Sequence, residues 1–268
     1  MTTQPDAQAR ERQVREEAMY VYAIVPADTE VPEELSGTDG AELSLIRHGD
    51  LAAVVSEVGT DRPFGAREDL LSHERVVETL AGETTVLPMR FGAVVRSADA
   101  VTDELVAPHY DWFASVLADF TGRAEFIVVG TYVEDAVLRE VLEENPEMMR
   151  LRESVRQKPE DAGYYERIRL GELIVQALEA KQEADAAVLA EAITPHAVAV
   201  TPRRPAGSEI AADVAFLVAE GERERLEQAV EDLGRRWAGR IRLRLVGPLA
   251  PYDFVPAPPQ EEAATWGS

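Results

Sequence analysis

Four histidines, His48, His73, His109 and His196, are the side chains of this sequence best suited to proton transfer or metal binding, and none has a partner at the spacing such chemistry requires. His73-Glu74 invites comparison with the zinc helix motif, but Val77 stands where that motif needs its second histidine. His73 is therefore read as a satisfied residue on a helix surface or between domains. Cysteine is absent, which removes disulfides, thiolate ligands and a cysteine nucleophile together. There is no Walker sequence and no G-x-G-x-x-G to cradle a phosphate, and no serine sits in G-x-S-x-G; Ser208, after Gly207, falls in a loop. Carboxylate pairs carry no signal in a chain with 50 acidic residues. No catalytic residue, metal or cofactor is expected.

Candidate binding residues are easier to name. In Leu87-Pro88-Met89-Arg90-Phe91-Gly92, the arginine flanked by Met89 and Phe91 would make an amphipathic patch suited to an apolar partner with exposed carboxylates. The same segment also reads as an irregular edge strand, because Pro88 removes a ladder donor and Gly92 permits close backbone approach. In Gly247-Pro248-Leu249-Ala250-Pro251-Tyr252-Asp253-Phe254-Val255, Tyr252 and Phe254 either lay an extended tail over their own domain or anchor a partner. Arg240, Arg242 and Arg244 recur with period two, to be matched by carboxylates within the chain or by an acidic partner, a second copy included.

The elements that must position these residues follow from periodicity. Met19 to Val25, aromatic and β-branched before Pro26, predicts a strand buried on both faces. Leu43 to Arg47 and Leu51 to Ser56 flank His48-Gly49-Asp50 and predict a hairpin. Arg67 to Ala81 carries Leu70, Leu71, Val77, Leu80 and Ala81 at helical spacing and should pack on a sheet. Thr84 to Leu87 and Phe91 to Val95 read as extended, and a helical region with Leu105 to Phe120 follows, broken or kinked at Pro108 and stopped at Thr121-Gly122.

From Glu125 the pattern lays out as β-α-β-β-α-β. Strands are predicted at Glu125 to Val133, His196 to Pro202, Glu209 to Ala219 and Arg240 to Val246, with a helix carrying Leu226, Val230, Leu233 and Trp237 between the last two. The first crossover, Glu134 to Ile193, is enlarged and interrupted at Asn145-Pro146 and at Lys158 to Gly163. The expected class is α+β in two domains: a flexible arm (1–17), an N-terminal α+β domain (18–123), a C-terminal ferredoxin-like α+β domain (124–255) and a disordered tail (256–268).

Charge narrows the partners. Fifty acidic against 27 basic residues leave a formal charge of -23, and lysine occurs only at Lys158 and Lys181. Such a surface repels phosphate backbones and anionic lipid headgroups, so neither nucleic acid nor a membrane surface is an expected partner. A high-salt cytoplasm and an acidic, arginine-biased proteome both account for the charge. The first residues lack the basic and apolar regions of a secretory signal, and no apolar run reaches the roughly 20 residues of a membrane helix. A soluble, cytoplasmic chain is expected.

Ser72-His73-Glu74-Arg75, the Leu87 to Gly92 segment and the Gly247 to Val255 ending, in this order and spacing, resemble the gas vesicle protein GvpF/GvpL family over about Met19 to Val255. The resemblance implies a non-enzymatic accessory protein of gas vesicle formation, located in the cytoplasm and at the gas vesicle. Its implied partners are the small apolar shell protein GvpA and other gas vesicle accessory proteins, with self-association left open. It leaves chaperone, nucleator and minor shell component as alternatives, and does not separate GvpF-like from GvpL-like. A competing reading from another class is a small-ligand-binding regulatory protein, since ferredoxin-like units host many functions.

Overall fold

The computed structural model describes residues 18–59, 65–159 and 163–258; the expected arm and the end of the expected tail, 259–268, lie outside the described residues. The chain is a mixed fold of helices and two antiparallel sheets, and it divides into two compact units, 1–122 with 249–268, and 123–248.

In the first unit, β1 (Ala18–Pro26) lies between β3 (Leu51–Val58) and two short strands, β4 (Leu87–Pro88) and β5 (Val94–Val95), while β2 (Leu43–His48) pairs the outer side of β3. The expected hairpin is present, with His48 opposite Leu51 across Gly49 and Asp50. The β1–β3 register slips between Val21 and Ala23, so Tyr22 occupies a bulge. A bulge resets strand alternation, and Tyr20, Tyr22, Ala23 and Val25 accordingly all join one core cluster with Val76, Val77 and Leu80 of helix α1 (Arg67–Ala81).

Helix α1 has the expected bounds but not the expected stripe. Its buried residues are Asp69, His73, Val76, Val77 and Leu80, whereas Leu70 and Leu71 are exposed. Counting apolar residues selects the leucines; the fold instead buries two polar residues that find partners. Asp69 accepts from the backbone N–H groups of Gly65 and Ala66 (3.3 and 3.1 Å) and so caps the helix N-terminus. The later helical region is split as expected: α2 (Ala98–Ala100) runs into a π-helical stretch, Val101–Val106, and α3 (Tyr110–Phe120) starts after Pro108.

The second unit has the order β6 (Arg123–Tyr132), helices α4 (Glu134–Glu144), α5 (Pro146–Gln157) and α6 (Tyr164–Ile193), β7 (Ala199–Pro202), β8 (Ile210–Ala219), α7 (Arg223–Arg236) and β9 (Ile241–Leu249). The strands lie in the order β7-β8-β6-β9. Phe126 and Val128 of β6, Val214 and Phe216 of β8, and Leu243 and Leu245 of β9 face Leu226, Val230 and Leu233 of α7 and Leu189 and Ile193 of α6. Asn145 ends α4 and caps α5, its Oδ1 accepting from Glu147 and Met148 N–H, with Pro146 in the first turn where its missing donor costs nothing.

Three expectations need correction. His196 does not start a strand; it closes a 3-10 turn after α6. The arginine row is broken, because Arg240 precedes β9 and turns to helices α4 and α6, while Arg242 and Arg244 stay exposed. The ending from Leu249 groups with the first unit rather than with the C-terminal domain where sequence placed it, since its contacts are with α1.

Candidate functional site

The segments that carry the family resemblance meet at His73. The imidazole is 1% exposed, not on the helix surface as its flanking charges suggest. Its Nδ1 lies 3.0 Å from the Tyr20 hydroxyl and its Nε2 3.0 Å from the Tyr252 hydroxyl. Tyr22 stacks on the ring at 5.7 Å, and Phe91 meets it edge-on at 5.8 Å. A neutral imidazole has one N–H and one lone pair, so one tyrosine donates and the other accepts. Gly92 N–H donates to the Tyr20 hydroxyl (3.0 Å). Gly92 takes a φ of 87°, a conformation that favours glycine.

Burial sets the electrostatics of this cluster. It lowers the His73 pKa to about 4, against a hydrogen bond with the Met89 backbone, and raises that of Tyr20 to about 12. Glu78, one turn along α1 from Glu74, accepts from Ala250 N–H at 3.1 Å and is also raised by burial. Helix α1 thus holds the C-terminal segment at two points, through Glu78 and His73.

The candidate binding residues divide accordingly. Phe91 and Tyr252 come together over His73 and are half-buried, Met89 and Phe254 are half-buried, and Arg90 is exposed. The amphipathic patch expected at Met89 to Phe91 has therefore turned one of its two apolar members inward. Gly247 is accounted for separately: at φ 144° its Cα faces β6, where an added Cβ would lie 2.8 Å from the Glu125 carbonyl oxygen and 2.6 Å from the Phe126 ring.

The second unit holds an ionic counterpart that periodicity did not suggest. Arg240 donates to both carboxylate oxygens of Asp185 on α6 (2.8 and 2.9 Å) and to Glu140 on α4 (2.7 Å). Tyr132 donates to Asp185 at 2.7 Å, and Lys181 bridges Glu140 and Glu144 at 2.7 and 2.8 Å. Burial opposes the charge on Arg240, but its two carboxylate partners outweigh it and raise the pKa; burial likewise opposes the charge on Glu140, but hydrogen bonds donated by Arg240 and Lys181 hold it below its ordinary value. The signal available in sequence was Asp185 within the apolar face of α6.

Imidazole, carboxylates and guanidinium are matched by internal partners, and no group of three or more metal-ligating side chains exists among the described residues. An open depression of about 230 Å³ is lined by Asp28, Thr29, Glu30, Glu83 and Thr84. No helix among the described residues is long and apolar enough to cross a membrane.

Fold and clusters together define a mixed α/β protein whose polar chemistry is used to hold segments in place. The family model of the gas vesicle synthesis protein GvpL/GvpF matches residues 18–256. Gas vesicle protein F of Streptomyces sp. (strain CB03234) is 31% identical over 88% of this chain and 98% of its own length, and gas vesicle protein L of the same organism is 30% identical over 88% and 92%. The crystal structure of gas vesicle protein GvpF from Anabaena sp. PCC7120 superposes with a TM-score of 0.73 at 25% identity, covering 90% of this chain and 99% of that one. The chain belongs to the GvpL/GvpF family and has a role in gas vesicle formation.

Proposed function

We propose that this protein is a non-catalytic accessory factor that binds the gas vesicle shell protein GvpA, together with other gas vesicle accessory proteins, and assists shell assembly in the cytoplasm or at the vesicle. The observation that carries the reading is the family match over residues 18–256. An apolar shell subunit with open strand edges would self-associate, and a highly charged binder could cover those surfaces until delivery. Arg90, exposed on the turn between β4 and β5, with its neighbours Met89 and Phe91 and with Tyr252 and Phe254 of the ending, is the candidate contact set; Gly92 of the same turn is held by Tyr20 of the His73 cluster. The second unit is read as ferredoxin-like, its strand order and single helix between β8 and β9 supporting that description.

Co-expression pull-down against GvpA tests the proposal. Capture should persist in molar salt, because screening weakens charge pairs while hydrophobic association holds or strengthens. Absence of a complex at every salt concentration, with vesicles forming normally in a deletion strain, would remove the reading.

A further inference from the structure

The helical elaboration between β6 and β7 exposes several large apolar side chains. Tyr164 and Tyr165 open helix α6 with 60% and 82% of their surfaces exposed, their rings edge-to-face at 5.6 Å. Ile168 and Val175 continue the exposed stripe at spacings of four and seven residues, and Met149 is exposed on α5. A soluble helix ordinarily turns polar residues to water, and contiguous exposed apolar groups mark interaction sites.

The charges around the stripe are also unlike those of the chain. Residues 146–170 carry six basic and five acidic side chains in a protein of net charge -23. Arg150, Arg152 and Arg156 are exposed on α5 and take no carboxylate among the described residues. Tyrosine, methionine and arginine are the types enriched where proteins bind one another.

The geometry points to the α5–α6 hairpin as a docking surface for an acidic amphipathic polypeptide segment, one whose apolar face covers Tyr164, Tyr165 and Ile168 and whose carboxylates pair with Arg152 and Arg156. Arg152 and Arg156 are one helical turn apart and share a face with Met149, so apolar and cationic groups are offered side by side. The overall charge repels a nucleic-acid backbone from the same patch. This surface is distinct from the Arg90 region, and the inference stands whether or not GvpA is the partner.

The test uses the full chain and a short helical peptide with leucines on one face and glutamates on the other, with a lysine-for-glutamate and a serine-for-leucine version as controls. Titration should show the acidic peptide binding at least about tenfold tighter than either control. The variant Tyr164→Ser/Tyr165→Ser/Ile168→Ser should lose about tenfold or more, and Arg152→Glu/Arg156→Glu should exchange preference from the glutamate to the lysine peptide. If a variant loses its helical signal, hydroxyl-radical footprinting of the unmodified chain decides. Protection of Tyr164 and Tyr165 by the acidic peptide supports the proposal, and unchanged reactivity overturns it. No binding of the acidic peptide, equal binding by the triple variant, preferential binding of a single-stranded oligonucleotide, or a dimer that the triple variant abolishes would each overturn it.

Discussion

The His73 cluster of the first unit and the Arg240 cluster of the second solve the same problem with opposite chemistry. Each ties residues far apart in sequence to a helix: Tyr252 to α1 in one, Arg240 and Tyr132 to α6 in the other. The first does so with neutral groups, an imidazole between two hydroxyls inside an aromatic shell. The second uses full charges, a guanidinium shared by two carboxylates. Burial decides which solution is tolerable. A ring that is 1% exposed is kept neutral by desolvation, whereas Arg240 keeps its charge because several hydrogen bonds offset the desolvation of a partly exposed side chain.

The contrast is broken most severely by removing the shared cation. Arg240→Met should cost on the order of 3 kcal/mol in urea denaturation, because Asp185 and Glu140 are left without it, and Arg240→Met/Asp185→Leu should recover part of the loss. A loss below about 1 kcal/mol would place the network with ordinary surface pairs.

Acid should separate the two clusters next. The unfolded chain protonates His73 below about pH 6.5, and the folded chain only near 4. More protons are then bound unfolded than folded, so the contribution of His73 is complete above pH 6.5 and is lost as pH falls to about 4, amounting to roughly 3 kcal/mol. Glu140, held low, gives way only below the ordinary carboxylate range. Stability measured against pH should therefore fall first through His73, and His73→Gln should lose the slope between pH 6.5 and 5; an unchanged slope would mean the imidazole is not held neutral.

Single hydroxyls sharpen the comparison further. Tyr132→Phe, which removes a donor to a charged carboxylate, should cost about 2 kcal/mol, and Tyr252→Phe, which removes a neutral bond, about 1 kcal/mol, both by thermal or urea unfolding. The reverse order would contradict the assignment of charged and neutral clusters. The smallest effect is expected from salt: raising potassium chloride to molar concentration should raise the melting midpoint modestly by relieving repulsion at -23, while the partly buried Arg240 network is screened little. A flat or falling midpoint would show that local pairing outweighs net charge.

What the sequence determined by itself were the elements whose signals are local. Period-two alternation placed β8 and most of β9, helical periodicity and Asn145-Pro146 placed the broken crossover, Gly49-Asp50 placed the hairpin turn, and α1 runs over its expected Arg67–Ala81. The three family segments were also legible as segments. Only the tertiary structure decided that they meet, that the ending from Leu249 returns to α1, and that α1 buries His73 and Asp69 in place of Leu70 and Leu71. Periodicity counts apolar side chains along one element and is blind to a hydroxyl 53 or 179 residues away that makes a buried imidazole affordable. The bulge at Tyr22, which brings that residue's ring onto His73, and the turn of Arg240 towards Asp185 are likewise consequences of strand register and of helices packed from elsewhere in the chain.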